Sequence, residues 1–218
     1  LVVSRLPTFN PLVSDEFVIV NNTGDQPVTG QFNGLQEGEV LKAGDDFYVI
    51  SYKGGDGNDV SLHRALIVTN TLDSGPGSLR QSLLDANAIP LSDVILFDIP
   101  GPGPHVISVM PALPAINDAK LQILGTYIDQ VNGVLSPLQV EIRGNGQRDS
   151  EDLPIDGLRI LAGDVFVRDL IVRNFSGDGI SADVAESLTL ERFVTGGNSG
   201  SGIDVGALVR NVTLDTVY

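Results

Sequence analysis

Gly177-Asp178-Gly179-Ile180 returns as Gly200-Ser201-Gly202-Ile203, and Leu188-Thr189-Leu190 returns as Val212-Thr213-Leu214, shifts of 200 − 177 = 23 and 212 − 188 = 24. A period in the low twenties built from short strand-like pieces is the mark of a solenoid, in which each coil stacks on the one before. Leu158/Ile160 and Leu188/Leu190 alternate with polar neighbours, which sends one set of side chains inward. A leucine-rich repeat has a similar period, but its L-x-x-L-x-L-x-x-N pattern is missing, so a parallel β-helix fits better.

Working outward, the same texture of short apolar runs between Gly/Asn/Asp turns reaches back to Val94-Ile95-Leu96-Phe97 and includes Leu121–Leu124, Val140–Ile142 and Leu170–Val172. Upstream, one segment reads as a helix. Ser78 and Gln81 have the S-x-x-Q spacing of a capping box directly after Gly75-Pro76-Gly77, and Leu79, Leu83 and Leu84 are expected on one face. Its expected role is to cover the end of the solenoid. Residues 1–64 alternate β-type runs such as Phe17–Val20 and Phe47–Tyr52 with turns such as Lys53-Gly54-Gly55-Asp56-Gly57.

Composition supports a mainly β chain. Of 218 residues, 28 are Asp or Glu and 13 are Lys or Arg, a formal charge of −15, with 25 Gly and 12 Pro. Asp outnumbers Glu 21 to 7, and Asp, Gly and Pro are turn formers with poor helix propensity. The charge excludes nucleic acid as a partner, because phosphates require basic clusters that are absent. No run approaches the 18 apolar residues of a membrane-spanning helix. Zero Cys removes disulfides and thiolate chemistry. With no initiating Met or leader-like segment, and a last strand that stops mid-pattern, the chain is expected to be a fragment of something longer.

The stretch Thr69-Asn70-Thr71-Leu72-Asp73-Ser74-Gly75-Pro76-Gly77-Ser78-Leu79-Arg80-Gln81, with Asp85-Ala86-Asn87 and Ile95-Leu96-Phe97-Asp98-Ile99-Pro100-Gly101, resembles the opening of right-handed, pectate-lyase-like parallel β-helix domains of large bacterial surface and secreted proteins. Residues 1–64 resemble the end of an autotransporter-associated β-strand repeat array, through Asp15–Ile19, Val28–Leu35 and Ile50–Val60. The resemblance implies an all-β fold: a right-handed parallel β-helix over 65–218 with one N-terminal capping helix, preceded by a small β-strand repeat segment over 1–64. It also implies export to the cell surface or beyond. Neither family has one fixed activity.

Candidate sites are few. Gly54-Gly55-Asp56-Gly57-Asn58-Asp59-Val60-Ser61-Leu62 nearly satisfies the calcium-binding nonapeptide G-G-x-G-x-D-x-U-x, which makes Asp56 and Asp59 candidate calcium ligands; the other reading is a glycine turn into a closing strand. No cofactor is expected otherwise. Glycoside hydrolysis requires paired carboxylates, for which Asp178, Asp183 and Asp204 are the candidates, although each aligns with a non-acidic residue one coil away. Solvated turn carboxylates are the plainer reading. Lyase chemistry would call on Arg168, Arg173, Arg192 or Arg210, none of which stands out from its neighbours. His63 and His105, far apart in the chain, support neither a metal pair nor a triad.

The expected function is a structural or adhesive module of an exported bacterial protein. Its partners would be cell-envelope or extracellular polysaccharide, or a host or neighbouring surface, met on a solenoid face. The rival is a polysaccharide lyase or glycoside hydrolase of the β-helix type.

Overall fold

The computed structural model describes residues 1–218 except 5, 7, 13–14, 45, 89–92, 126, 129–134 and 137–139; for 127–128 and 135–136 it describes the backbone only. The described residues are mostly β, with a single helix. The strands are β1 (Glu16–Val20), β2 (Val40–Ala43), β3 (Asp46–Gly54), β4 (Asp59–Arg64), β5 (Leu66–Val68), β6 (Val94–Phe97), β7 (His105–Ser108), β8 (Gln122–Leu124), β9 (Tyr127–Ile128), β10 (Leu135–Ser136), β11 (Val140–Arg143), β12 (Leu158–Ile160), β13 (Val165–Arg168), β14 (Leu170–Arg173), β15 (Ile180–Ala182), β16 (Ser187–Gly196), β17 (Ile203–Val205) and β18 (Asn211–Val217). The helix α1 is Leu79–Ala88. The chain divides into two compact units, Leu1–Leu66 and Ile67–Tyr218.

The first unit is an antiparallel sheet in the order β1-β4-β3-β2. Its core is Ala43, Tyr48, Ile50, Val60 and Leu62, with Phe17 packed edge-on against Tyr48 at 6.0 Å and Phe9 against Phe17 at 5.7 Å. The β3–β4 connection is glycine-rich because Gly55 and Gly57 have φ of 56° and 105°, which L side chains avoid. A Cβ on Gly55 would also collide with Asp59 Oδ2.

The second unit is built from parallel pairings in three rows. One row runs β6-β8-β13-β16-β18, with β5 beside β6. A second runs β7-β11-β14 and then the far end of β16, where Ile171 pairs with Val194. A third runs β12-β15-β17, extended by an isolated bridge from Ile116 to Ile160. From β11 to β18 the chain visits the second, third and first rows in turn, three times over. The register pairs Ile180 with Ile203 and Leu188 with Val212, the same two shifts at which the sequence repeats.

Two local devices set this path. Where the chain passes from the first row to the second, a single residue takes the left-handed conformation: Asp169 (φ 58°), Arg192 (φ 44°) and, at the end of β18, Thr216 (φ 54°). On entering the third row, Gly157, Gly179 and Gly202 stack so tightly that a Cβ on Gly179 would run into Thr195 Oγ1 and lie 2.5 Å from Gly202 O. Inward columns such as Ile95–Ile123–Val167–Leu190 are fully buried and carry the core, while Leu214 in the next register position is exposed.

The helix departs from expectation in two details. Ser78 Oγ accepts a bond from Gln81 N at 3.2 Å, but Gln81 Nε2 donates to Asp85 Oδ1 at 2.8 Å instead of returning to the cap. The reciprocal half of the box has no free donor, because Ser78 N already bonds Gly75 O across the preceding turn. The buried face is Leu79, Ser82, Leu83 and Ala86, whereas Leu84 is exposed. At 100° per residue Leu84 lies about 140° round from Leu79, off that face.

Candidate functional site

The turn carboxylates are tied into the stack. Asp156 Oδ1 accepts from Asp178 N at 2.8 Å, and Asp178 Oδ1 accepts from Ser201 N at 2.5 Å. Each acidic turn thus anchors the backbone of the turn that stacks on it, and the break at Ser201 is the end of that chain of bonds. Asp183 pairs with Arg159 of the neighbouring strand β12, 3.1 Å away, and both side chains are about half exposed. Asp204 is exposed on β17 and lies in register with Ser181, not with another carboxylate. Asp178 and Asp183 flank the two ends of β15, five residues apart; at about 3.3 Å per residue that is roughly 16 Å, beyond the 5–9.5 Å of glycosidase pairs. The fold does not bring the three together as a catalytic set.

Asp59 is buried and its Oδ1 accepts from Asn22 N at 2.8 Å, while Asp56 is exposed at the tip of the glycine turn. No group of three or more His, Asp or Glu residues able to hold a metal occurs among the described residues. His63 has neighbours that the sequence did not signal: Ser61 Oγ lies 3.0 Å from its Nε2 and Glu16 Oε1 3.6 Å from the same nitrogen. A nucleophile relay requires the acid on the other ring nitrogen. Here Nδ1 is buried without a partner and Ser61 is fully buried, so this trio is packing; burial pushes the imidazole pKa down.

The arginines considered for lyase chemistry each reach a carboxylate. Arg192 forms a two-pronged bond to buried Asp169 at 2.6 and 2.8 Å, and Arg168 Nε lies 3.6 Å from Asp169 while its guanidinium sits 5.7 Å over the Phe166 ring. Arg210 approaches Glu186 at 3.3 Å. Arg173 grips buried Glu141 at 2.8 and 2.7 Å, with Arg143 bonded to the same carboxylate. Hydrogen bonds from Arg173 outweigh burial and hold Glu141 down to about 2. These are rungs between stacked segments, charge-assisted and two-pronged.

Two acidic residues missed in the sequence are different. Asp93, just before β6, and Asp118, in the segment before β8, are buried to 2% and 4% exposure, and the Oδ2 atom of each has no partner. Burial pushes both carboxyls up to about 7, and for Asp93 the charge of Asp118 adds to it. Nothing in the sequence distinguishes them from the solvated turn aspartates, since neither falls in a segment that repeats.

The open side of the first row carries Gln122, Phe166, Thr189 and Thr213 in register, a column of amide, ring and hydroxyls on adjoining strands. Beside it run Arg168, Glu191 and Asp215. No helix among the described residues is long and apolar enough to cross a membrane. No protein-family model, no curated protein and no solved structure matches the chain.

Proposed function

We propose that the chain is a structural or adhesive module of an exported bacterial surface protein, that residues 67–218 form coils of a right-handed parallel β-helix, and that it engages extended polysaccharide along the open side of the first strand row. The cyclic visiting of three parallel rows supports the coil reading, and right-handed crossovers are the physical default for parallel strands. The observation that supports the non-catalytic reading is the engagement of Asp178, one of the three candidate carboxylates, whose Oδ1 accepts from Ser201 N at 2.5 Å. The column Gln122–Phe166–Thr189–Thr213 supplies donors, acceptors and a ring face at the ~4.8 Å strand spacing, a pitch close to that of a sugar unit.

Co-sedimentation with insoluble bacterial and plant polysaccharides tests this reading. Binding is expected, with loss of about tenfold in affinity for Phe166→Ala and no release of oligosaccharide from uronate polymers with or without calcium. Turnover of any such polymer would replace this reading with the β-helix lyase or hydrolase. Absence of binding to every polysaccharide offered would remove the adhesive half of it.

A further inference from the structure

The β1–β2 connection, residues 21–39, contains neither helix nor strand. Connections longer than about 12–15 residues without regular structure are either functional or loosely held, and this one is held. At its start Asn22 Nδ2 donates to Gln26 O at 2.6 Å, and Asn58 Nδ2 donates to Gly24 O. In its middle Tyr52 Oη accepts from Phe32 N at 2.7 Å and donates to Leu35 O at 2.7 Å. At its end Gly38 N donates to Ile50 O and Ile50 N to Glu39 O, both at 3.0 Å. Between these fixings Thr29, Gly30 and Gln31 form no hydrogen bond among the described residues, by main chain or side chain.

These three exposed residues rim a pocket of about 260 Å³ in the first unit. Buried Val60 lies at its base beside its register partner Val20. The half-buried Phe32 and Tyr52 rings line it as well, 6.5 Å apart and tilted by 37°. The two bonds to the Tyr52 hydroxyl fix that ring and the Phe32 main chain, so the aromatic surface is in place before any ligand arrives. A Cβ added to Gly30 (φ 90°) would meet nothing within 4 Å, which leaves the main chain of the rim open. No charged side chain among the described residues lines the pocket, so it suits an uncharged ligand. A wholly apolar ligand would displace water from the rim without replacing its bonds. We propose that this pocket binds one neutral sugar ring, its C–H face against Phe32 and Tyr52 and its hydroxyls meeting Thr29 Oγ1, the Gln31 amide and the main chain of Gly30. The volume lies just under the ~300 Å³ at which sites for drug-sized molecules begin, which limits the occupant to a single ring. The site lies wholly in the first unit and shares no residue with the strand-row face, so the two proposals stand or fall separately.

The test is saturation-transfer NMR on the intact chain with the methyl glycosides of glucose, galactose, mannose and N-acetylglucosamine. Cyclohexanol serves as a ring that lacks the full set of hydroxyls. At least one glycoside is expected to bind with a Kd of about 1 mM, its ring protons receiving most of the saturation. Phe32→Ala should weaken that binding about tenfold and Gln31→Ala about threefold, while Phe166→Ala should leave it unchanged. Should Phe32→Ala fail to fold, Gln31→Ala and Thr29→Val, both on the exposed rim, read the same loss. Absence of transfer to all four glycosides overturns the proposal. So does cyclohexanol binding as tightly as the best of them, which would make the pocket merely apolar. Glycoside binding that survives Phe32→Ala and Gln31→Ala but is lost in Phe166→Ala overturns it in favour of the strand-row face.

Discussion

A methyl group at Gly179 would collide with Thr195 Oγ1 and sit 2.5 Å from Gly202 O and 2.7 Å from Asn198 Nδ2, and two of these neighbours are themselves hydrogen-bonded to each other. Gly179→Ala is therefore expected to lower stability by about 2–3 kcal/mol in urea unfolding, through overpacking. Gly196→Ala, where nothing lies within 4 Å, should be close to neutral and serves as its control. The G-x-G-I repeat made the position of these glycines legible, because a residue type without a side chain recurs where stacked backbones come closest. Glu141 was not legible. Its partner Arg173 lies far along the chain, at a separation set by the irregular stretch between β11 and β14 and not by any repeat. Its carboxyl is held at about 2 against an ordinary value of 4.5, so the ionised form stabilises the fold fully above about pH 4.5 and that contribution disappears as pH falls toward 2. Glu141→Gln should cost about 2 kcal/mol at pH 7, allowing for the half-exposed Arg173 guanidinium, and the gap from wild type should close by pH 2–3 in the same urea titration.

At the scale of the element, α1 is held at its start by one side chain. Ser78 Oγ accepts from Gln81 N and donates to Gly75 O at 2.7 Å, so Ser78→Ala should cost about 1 kcal/mol in thermal or urea melts. Gln81→Ala removes only its bond to Asp85 and should cost less than half of that. Leu83→Ala is expected to cost about 2–4 kcal/mol and Leu84→Ala close to nothing, since Leu83 is buried and Leu84 is 47% exposed. The existence and limits of this helix were readable from Gly75-Pro76-Gly77-Ser78, but its buried face was not. Three leucines suggest an apolar stripe, whereas the pairing surface selects Ser82 and Ala86 for their small size and leaves Leu84 out. The strands were readable from their alternation. Which turn carboxylate meets a backbone N–H depends on the chain length between paired strands, which is not constant. Leu158 meets Ile180 on the next strand of its row, whereas Gln122 meets Phe166, twice as far along the chain.

Across the whole molecule, the acidity loses its look of a surplus. Asp156 and Asp178 hold backbone donors, Asp169 and Glu141 hold arginines, and Asp59 holds Asn22. Of these, Glu141 sets the response to acid: raising the ionic strength at pH 7 should shift Tm by only a few degrees, while Tm should fall further as pH drops from about 4.5 toward 2 and the Glu141 contribution is lost. The division into Leu1–Leu66 and Ile67–Tyr218 leads to a further expectation, that residues 67–218 produced alone retain the β-type circular dichroism and the cooperative melt of that unit. Loss of the melt in that fragment would mean that the second unit does not fold by itself.

The one-residue corners at Asp169, Arg192 and Thr216 give the chain a gauge. Because the same bend returns once per circuit at these three positions, a copy of residues 170–192 spliced in after Arg192 begins and ends on the conformation its neighbours require. Each such cassette would lengthen the stack by one strand spacing, ~4.8 Å. Insertions far from the corner can be looped out, but one added beside it turns every following side chain to the wrong face. The corner therefore works as a ratchet tooth: reach along the stack can be dialled in whole steps and in nothing smaller.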